Sequence, residues 1–149
     1  MTTVAWDGKA MAADSLATDN WGMKEVVSNK IIVGQDFLLG CAGEHGQIMR
    51  WFKALGLDVS AKYLLNNGYA NYDSRDNDPN LLLVCERGAF RHVGGVFMPI
   101  SRGFHAIGSG RDYALMAMRL GKTAAEAVAL TMEFDNGTGG EIVEHKWRA

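Results

Sequence analysis

MTTVAWDGKAMAADS, residues 1–15, carries the pattern from which the rest of the chain can be interpreted. Asp7-Gly8 within it is typical of a tight hairpin turn, because glycine tolerates the positive φ that such a turn requires. Small and apolar residues run on both sides of this dipeptide, as expected for strands that are buried on both faces. The sequence therefore predicts a β-hairpin that folds about Asp7-Gly8 and returns Asp14 to a position beside Thr2.

Thr2 carries the first chemical signal. Threonine is small enough for an initiator methionine to be removed before it, which would leave Thr2 with a free α-amine. The unperturbed pKa of an α-amine is about 7.7–8.0, so near neutral pH it can accept the hydroxyl proton of its own residue. Threonine activated in this way is a recognised nucleophile. The alternative is a processed terminus with no catalytic role, and only features elsewhere in the chain can decide between the two.

Size and composition restrict the class of protein. We expect residues 1–149 to form one domain, because this length suits a single hydrophobic core. A net charge of −2 without a basic run argues against nucleic acid as the main partner. The longest apolar runs are far too short to cross a bilayer, and the first residues lack the pattern of a secretory signal. We therefore expect a cytoplasmic protein that does not associate with membranes.

The cysteines and histidines give no sign of a metal site. Cys41 and Cys85 each lie in an apolar, strand-like run, which favours buried free thiols over a disulfide framework. The four histidines are scattered, and no pair has the spacing of zinc ligands. We expect neither a metal nor a cofactor.

The order of the predicted elements indicates the fold class. After the hairpin, strands are predicted at about 23–27, 29–34 and 37–42, helices at 43–54 and 60–66, strands at 81–86, 89–94 and 104–107, helices at 112–120 and 123–133, and a last strand at 141–146. Residues 71–80 are polar and predict an exposed loop. Runs of strands separated by pairs of helices favour antiparallel sheets covered by helices. The sequence therefore predicts an α+β fold with four layers, an αββα sandwich of two antiparallel sheets flanked by helix pairs.

Several of these residues, in this order, resemble the N-terminal-nucleophile hydrolases of the proteasome β-subunit type, most closely the bacterial HslV peptidases. Thr2 matches the nucleophilic threonine, and Ala12-Ala13-Asp14-Ser15 matches the segment whose aspartate orients a catalytic lysine. Lys30 lies sixteen residues beyond Asp14, the spacing expected for that lysine. An ammonium beside Thr2 would stabilise the alkoxide and favour the neutral α-amine, and Asp14 would hold the buried Lys30.

The resemblance also covers the predicted junction between a strand and a helix at Gly40-Cys41-Ala42-Gly43. In the family, a glycine here donates its backbone N–H to the oxyanion, a role suited to the free N–H groups at the start of a helix. Gly43 is the matching residue. His45 and Gln47 depart from the small and acidic residues that usually follow, which implies an altered pocket for the substrate side chain.

Two further motifs match in the second half of the chain. Gly108-Ser109-Gly110 matches a Gly-Ser-Gly whose serine lies near the nucleophile's amine. Residues 135–140 match the family's Asp-x-x-Ser-Gly-Gly, with threonine replacing serine, so the resemblance assigns Asp135 and Thr138 to binding and orienting that amine. Taken singly, each motif has an ordinary explanation, since Ser109 could cap a helix and residues 135–140 could be a polar turn. Their shared order favours a site.

The resemblance implies a threonine-type peptidase that acts on peptides or unfolded proteins, within a homo-oligomeric ring, with a possible ATP-dependent unfoldase as partner. The first hairpin is about four residues shorter than in the family, and the helices of the middle pair are cut down, which affects a region used for contacts between subunits. Two alternatives stay open. One is a catalytically silent relative with an assembly or binding role, and the other is an amidase with an open pocket for small molecules, since one fold serves several functions.

Overall fold

The computed structural model describes residues 2–18, 24–26, 30–43, 45–56, 58–69 and 80–148. The elements in chain order are β1 (Thr3–Trp6), β2 (Ala10–Ala13), β3 (Leu16–Thr18), β4 (Lys24–Val26), β5 (Ile31–Val33), β6 (Phe37–Ala42), α1 (His45–Leu55), α2 (Ala61–Asn67), β7 (Asn80–Cys85), β8 (Gly88–Val93), β9 (Val96–Pro99), β10 (His105–Gly108), α3 (Arg111–Arg119), α4 (Ala124–Thr131) and β11 (Val143–Lys146).

The strands form two main antiparallel sheets. The first sheet has the order β10-β1-β2-β11, which places the N-terminal hairpin at its centre. The second has the order β5-β6-β7-β8-β9, and each strand pairs with its neighbour in sequence. A separate small ladder joins β3 to β4. Because β1 is a central strand, the residue that precedes it, Thr2, lies against neighbouring strands rather than at an edge.

Three apolar layers hold the sheets and helices together. Alternate residues of β6 and β7 face opposite ways, as the pleat of a strand requires. Leu39 and Leu83 pack with Trp51 of α1 and Leu64 of α2, whereas neighbouring residues such as Leu82 pack between the two sheets. A third layer, rich in alanine, lies between the first sheet and the helices α3 and α4. The predicted α+β sandwich of four layers, helices, sheet, sheet and helices, is confirmed.

The hairpin turn differs from the prediction by one residue. Asp7 Oδ1 accepts hydrogen bonds from the N–H groups of Lys9 (2.8 Å) and Ala10 (2.9 Å), and the Asp7 N–H donates to the Ala10 carbonyl (3.2 Å). The two residues at the tip are therefore Gly8, with φ of +95°, and Lys9. The resulting register pairs Val4 with Ala13. This register places Asp14 opposite Thr3. The predicted position of Asp14, beside Thr2, is therefore wrong by one residue.

The remaining elements follow the predictions with small differences. Ser60 caps α2, and Thr123 with Glu126 forms the predicted capping box of α4. Helix α1 begins at His45 rather than at Gly43, because Gly43 has a left-handed φ of +113°. Strands β3 and β9 were not predicted. Residues 71–79 of the predicted loop lie outside the described residues. Among the helices that the structure describes, none has the length and apolar character of a membrane span.

Candidate active site

Thr2 is buried in front of the central strand β1. Its carbonyl oxygen lies against Gly108, where a Cβ atom would come within 1.9 Å of that oxygen. Gly108 also has a positive φ of +96°, a conformation that side-chain-bearing residues rarely adopt. Glycine is thus required at this position on two grounds, and its absence of a side chain lets the end of β10 approach the backbone of Thr2.

Asp14 and Lys30 form a buried ion pair beside this backbone. Lys30 Nζ lies 2.9 Å from Asp14 Oδ1, and the side chains are 3% and 0% exposed. Asp14 Oδ1 also accepts the N–H of Thr3 (3.0 Å), and Oδ2 accepts the N–H of Gly139 (3.1 Å). Lys30 donates a further hydrogen bond to the Leu16 carbonyl. The pair therefore binds the start of β1, the end of β2 and the loop before β11 together.

The charge on Lys30 is under opposing influences. Burial lowers the pKa of the Lys30 ammonium below its ordinary value, while the hydrogen bond to Asp14 and the charge of Asp14 raise it. The net effect is a lowered pKa. A lysine in this state can hold a positive charge against its partner and release the proton more readily than a lysine in water.

Asp135 organises a second group of hydrogen bonds. Its Oδ2 atom accepts the hydroxyl protons of Ser109 (2.7 Å) and Thr138 (2.6 Å), and Oδ1 accepts the N–H of Gly137 (3.3 Å). Partial burial raises the pKa of the Asp135 carboxyl, but the hydrogen bonds from Thr138, Ser109 and Gly137 outweigh it and hold the pKa below its usual range. Asp135 is therefore a carboxylate, and only an acceptor, near neutral pH.

Thr3 joins the two groups, a feature that the sequence did not reveal. Its N–H donates to Asp14, and its Oγ1 atom lies 2.7 Å from Oγ1 of Thr138. Thr3 is fully buried, and a Cβ atom on Gly110 would lie 2.1 Å from its hydroxyl oxygen. The sequence offered one signal for this role. Thr3 follows Thr2 at the start of a buried strand, and it is a polar residue where an apolar one is expected.

The structure thus brings six of the seven predicted site residues into one region, namely Thr2, Asp14, Lys30, Ser109, Asp135 and Thr138. The seventh, Gly43, follows β6, in which the N–H of Cys41 donates to the carbonyl of Lys30 (2.8 Å). Gly43 therefore lies at the same end of the second sheet as Lys30. Gly43 is exposed, and its role as oxyanion donor stays a prediction. The side chains of His45 and Gln47 lie outside the described part.

No metal site accompanies this arrangement in the part of the chain that the structure describes, since no three His, Cys, Asp or Glu residues cluster there. Cys41 and Cys85 are buried free thiols, as predicted. Burial raises the pKa of the Cys41 thiol to about 12, so this cysteine is not a thiolate nucleophile at neutral pH.

Solved structures of known proteins share this fold. Thiobacillus denitrificans BPH, a bacterial proteasome homologue, matches with a TM-score of 0.70 and 25% sequence identity over 98% of this chain and 96% of that chain. The structure of Thiobacillus denitrificans BPH in complex with epoxomicin gives a TM-score of 0.70 and 26% identity, covering 97% of both chains. Eukaryotic HslV from Trypanosoma brucei gives a TM-score of 0.67 and 17% identity, again over 97% of both chains.

These matches extend over nearly the whole chain, so the shared architecture is not confined to one part of it. The sequence matches no protein-family model and no curated protein. The resemblance to N-terminal-nucleophile hydrolases of the proteasome β-subunit and HslV type is confirmed, and this chain has their fold.

Proposed function

We propose that this protein is a threonine-type peptidase or amidase in which Thr2, freed of Met1, is the nucleophile. The observation that carries the proposal is the joined hydrogen-bond network around the start of β1. It gathers Asp14 and Lys30 on one side and Ser109, Asp135 and Thr138 on the other. These residues come from four separate stretches of the chain.

In the proposed reaction the α-amine of Thr2 accepts the proton of the Thr2 hydroxyl as Oγ attacks the carbonyl carbon of the substrate amide. The ammonium of Lys30 stabilises the developing alkoxide and favours the neutral form of the amine. The N–H of Gly43 donates to the tetrahedral oxyanion. The protonated amine then gives its proton to the leaving nitrogen, which releases one product and leaves an ester on Thr2. Attack by water, by the reverse sequence of proton transfers, frees the second product and the enzyme.

Asp135 has a supporting role in this proposal. Its carboxylate, ionised because its pKa is lowered, holds the hydroxyls of Ser109 and Thr138 in fixed orientations. The Thr138 hydroxyl lies 2.7 Å from the hydroxyl of Thr3, the residue that follows Thr2. We propose that the hydroxyls of Ser109 and Thr138 bind the α-amine and orient its lone pair toward the Thr2 hydroxyl.

The proposal extends to a homo-oligomeric ring that encloses the site. Supporting it, the outer face of α3 exposes Met116 (63%) and Leu120 (76%), and Tyr113 stacks on Phe134 with ring centroids 5.6 Å apart. Clustered exposed apolar side chains of this kind mark surfaces that other proteins cover. We propose that a second copy of the chain covers them. Peptide or unfolded-protein substrates and an ATP-dependent unfoldase are further parts of the proposal that rest on the family resemblance. A cytoplasmic location, expected from the sequence, is also proposed.

Intact-mass measurement before and after treatment with epoxomicin tests the proposal. We expect the wild-type protein to lack Met1 and to gain the mass of one epoxomicin molecule. The matched variants are Thr2→Ser, which keeps a hydroxyl and should be labelled, and Thr2→Ala, which keeps the small residue needed for removal of Met1 and should not be. A protein that retains Met1 and gains no mass contradicts the peptidase function and favours a silent assembly or binding role.

A further inference from the structure

We propose that Thr3 is a positioning residue for the Thr2 nucleophile, because its N–H and its hydroxyl tie the Asp14–Lys30 pair to the Asp135 network. This inference rests on the proposed function of Thr2. Thr3 itself touches no reacting group in this scheme, and its effect on the reaction passes through the geometry of the Thr2 backbone.

The direction of the hydrogen bond between Thr3 and Thr138 follows from proton counting. Thr138 has one hydroxyl proton, and its Oγ1 atom lies 2.6 Å from Oδ2 of Asp135, a carboxylate that can only accept. That proton is therefore used. Across the 2.7 Å contact between the two threonines, Thr3 must donate and Thr138 must accept. A chain of donors thus runs from Thr3 through Thr138 to Asp135, which also accepts the proton of Ser109.

The surroundings leave the Thr3 side chain little freedom. Thr3 is fully buried, and Gly110 lies so close that a Cβ atom there would be 2.1 Å from the Thr3 hydroxyl oxygen and 2.3 Å from Cγ2 of Thr131. Threonine is also stiff about χ1 because its Cβ is branched. The hydroxyl therefore holds one orientation, which the donor chain to Asp135 requires.

Thr3 transmits this order to Thr2 through the peptide bond between them. The N–H of that peptide donates to Asp14 Oδ1 (3.0 Å), and its carbonyl, which belongs to Thr2, lies against Gly108. With both ends of the peptide plane held, the position of the Thr2 Cα atom is determined. Because the peptide is planar, a shift of Thr3 moves Thr2 with it. A displacement of about 1 Å at a reacting group can lower a rate about 100-fold.

Inactivation kinetics with epoxomicin, followed by intact mass, separate this role from others. The test variants are Thr3→Val, which has the same shape but no hydroxyl, and Thr3→Ser, which keeps the hydroxyl. The control is Thr131→Val, a fully buried threonine nearby whose hydroxyl donates to the Ala127 carbonyl (2.8 Å) within its own helix. Each variant is compared for the maximal rate of inactivation and for the epoxomicin concentration that gives half of it.

We expect Thr3→Val to lower the maximal rate by at least about 10-fold, with the half-saturating concentration within about 2-fold of wild type, since chemistry and not binding is affected. Thr3→Ser should restore the rate, and Thr131→Val should not change it. A Thr3→Val rate equal to wild type overturns the inference, and so does an equal loss in Thr131→Val, which would indicate a general packing effect.

Two outcomes need a separate measurement or reading. If Thr3→Val does not fold, as judged by circular dichroism, Thr3→Ala also removes the hydroxyl and should show the same loss of rate; a normal rate there overturns the inference. If the wild-type protein is not labelled, the proposed function fails and this inference fails with it. A labelled wild type with an unaffected Thr3→Val contradicts the role of Thr3 alone.

Discussion

Replacing Asp14 with asparagine tests the buried ion pair. Asparagine keeps the shape of the side chain but loses the charge and has one acceptor oxygen and one donor group in place of two acceptors. In the folded protein Oδ1 accepts from Lys30 and Thr3, and Oδ2 accepts from Gly139 and, at 3.4 Å, from Leu16. Whichever way the asparagine is oriented, its NH₂ group faces two donors.

The expected loss of folding free energy in Asp14→Asn is about 3–5 kcal/mol at pH 7, because removal of one member of a buried ion pair leaves the other charge uncompensated. The buried N–H groups that lose their acceptor cost about 1–3 kcal/mol each. Because they belong to the same hydrogen-bond network as the ion pair, their cost is already part of this loss and is not added to it in full. Lys30 limits the loss by releasing its proton, since burial already lowers its pKa and Asp14 no longer opposes that shift.

The stability difference between Asp14→Asn and wild type then depends on pH in a defined direction. In the variant the folded-state pKa of Lys30 falls further below its unfolded value of about 10.4. Between those two pKa values the unfolded chain binds more protons than the folded one, so the stability of the variant rises with pH. The difference from wild type is therefore greatest near neutral pH and narrows as the pH is raised.

Urea unfolding followed by circular dichroism, at neutral and at alkaline pH and at one protein concentration, measures this difference. Asp7→Asn is the matched control, because the Asp7 carboxylate is held by the backbone N–H groups of Lys9, Ala10 and Ala124 rather than by a lysine. We expect a smaller loss of about 1–3 kcal/mol there, without the alkaline recovery. An Asp14→Asn loss no larger than that of Asp7→Asn, or a difference from wild type that widens with pH, would contradict the expected role of the buried charge.

Two further predictions concern packing and assembly. Gly110→Ala should abolish labelling by epoxomicin and lower the unfolding midpoint, because the added Cβ would lie 2.1 Å from the Thr3 hydroxyl oxygen. In the control Gly103→Ala no atom lies within 4 Å of the added Cβ, and this variant should behave as wild type. Equal behaviour of the two variants would contradict the packing described. Met116→Lys should reduce the particle mass seen by light scattering, because a charge is placed on the face proposed to meet a second copy, and Val96→Lys, on the exposed side of β9, should not. An unchanged mass in Met116→Lys would exclude that face as the interface.

Much of the fold could be predicted because its signals are local. The continuous apolar runs of β6 and β7, the cap at Ser60 and the capping box at Thr123 each depend on residues within a few positions. Strand β9 was missed because only Phe97 is buried in it, although it pairs with β8 across the two residues Gly94 and Gly95. Where burial is one-sided and brief, the sequence carries little periodicity.

The hydrogen-bond connections of the candidate site could not be predicted from the sequence, and the roles of its members stay predictions. The family resemblance assigns Asp14, Lys30 and Asp135 to one site, yet the hairpin register depends on Asp7, whose Oδ2 atom accepts the N–H of Ala124, more than a hundred positions away (2.8 Å). That contact, with the bonds to Lys9 and Ala10, fixes the turn one residue later than the dipeptide pattern indicates. Contacts between residues more than a hundred positions apart leave no local pattern.

The cost of the ion pair bears on the choice between a catalytic and a silent protein. Asp14 and Lys30 are almost without exposure to water, and replacing such a pair with apolar residues of similar size is often neutral or stabilising. Stability alone therefore gives no reason for a charged pair at this position. Both charges lie beside the one backbone segment, Thr2–Thr3, whose hydroxyl and amine could use them. A silent assembly protein would have no need of an ammonium there, so the placement of Lys30 favours the catalytic proposal.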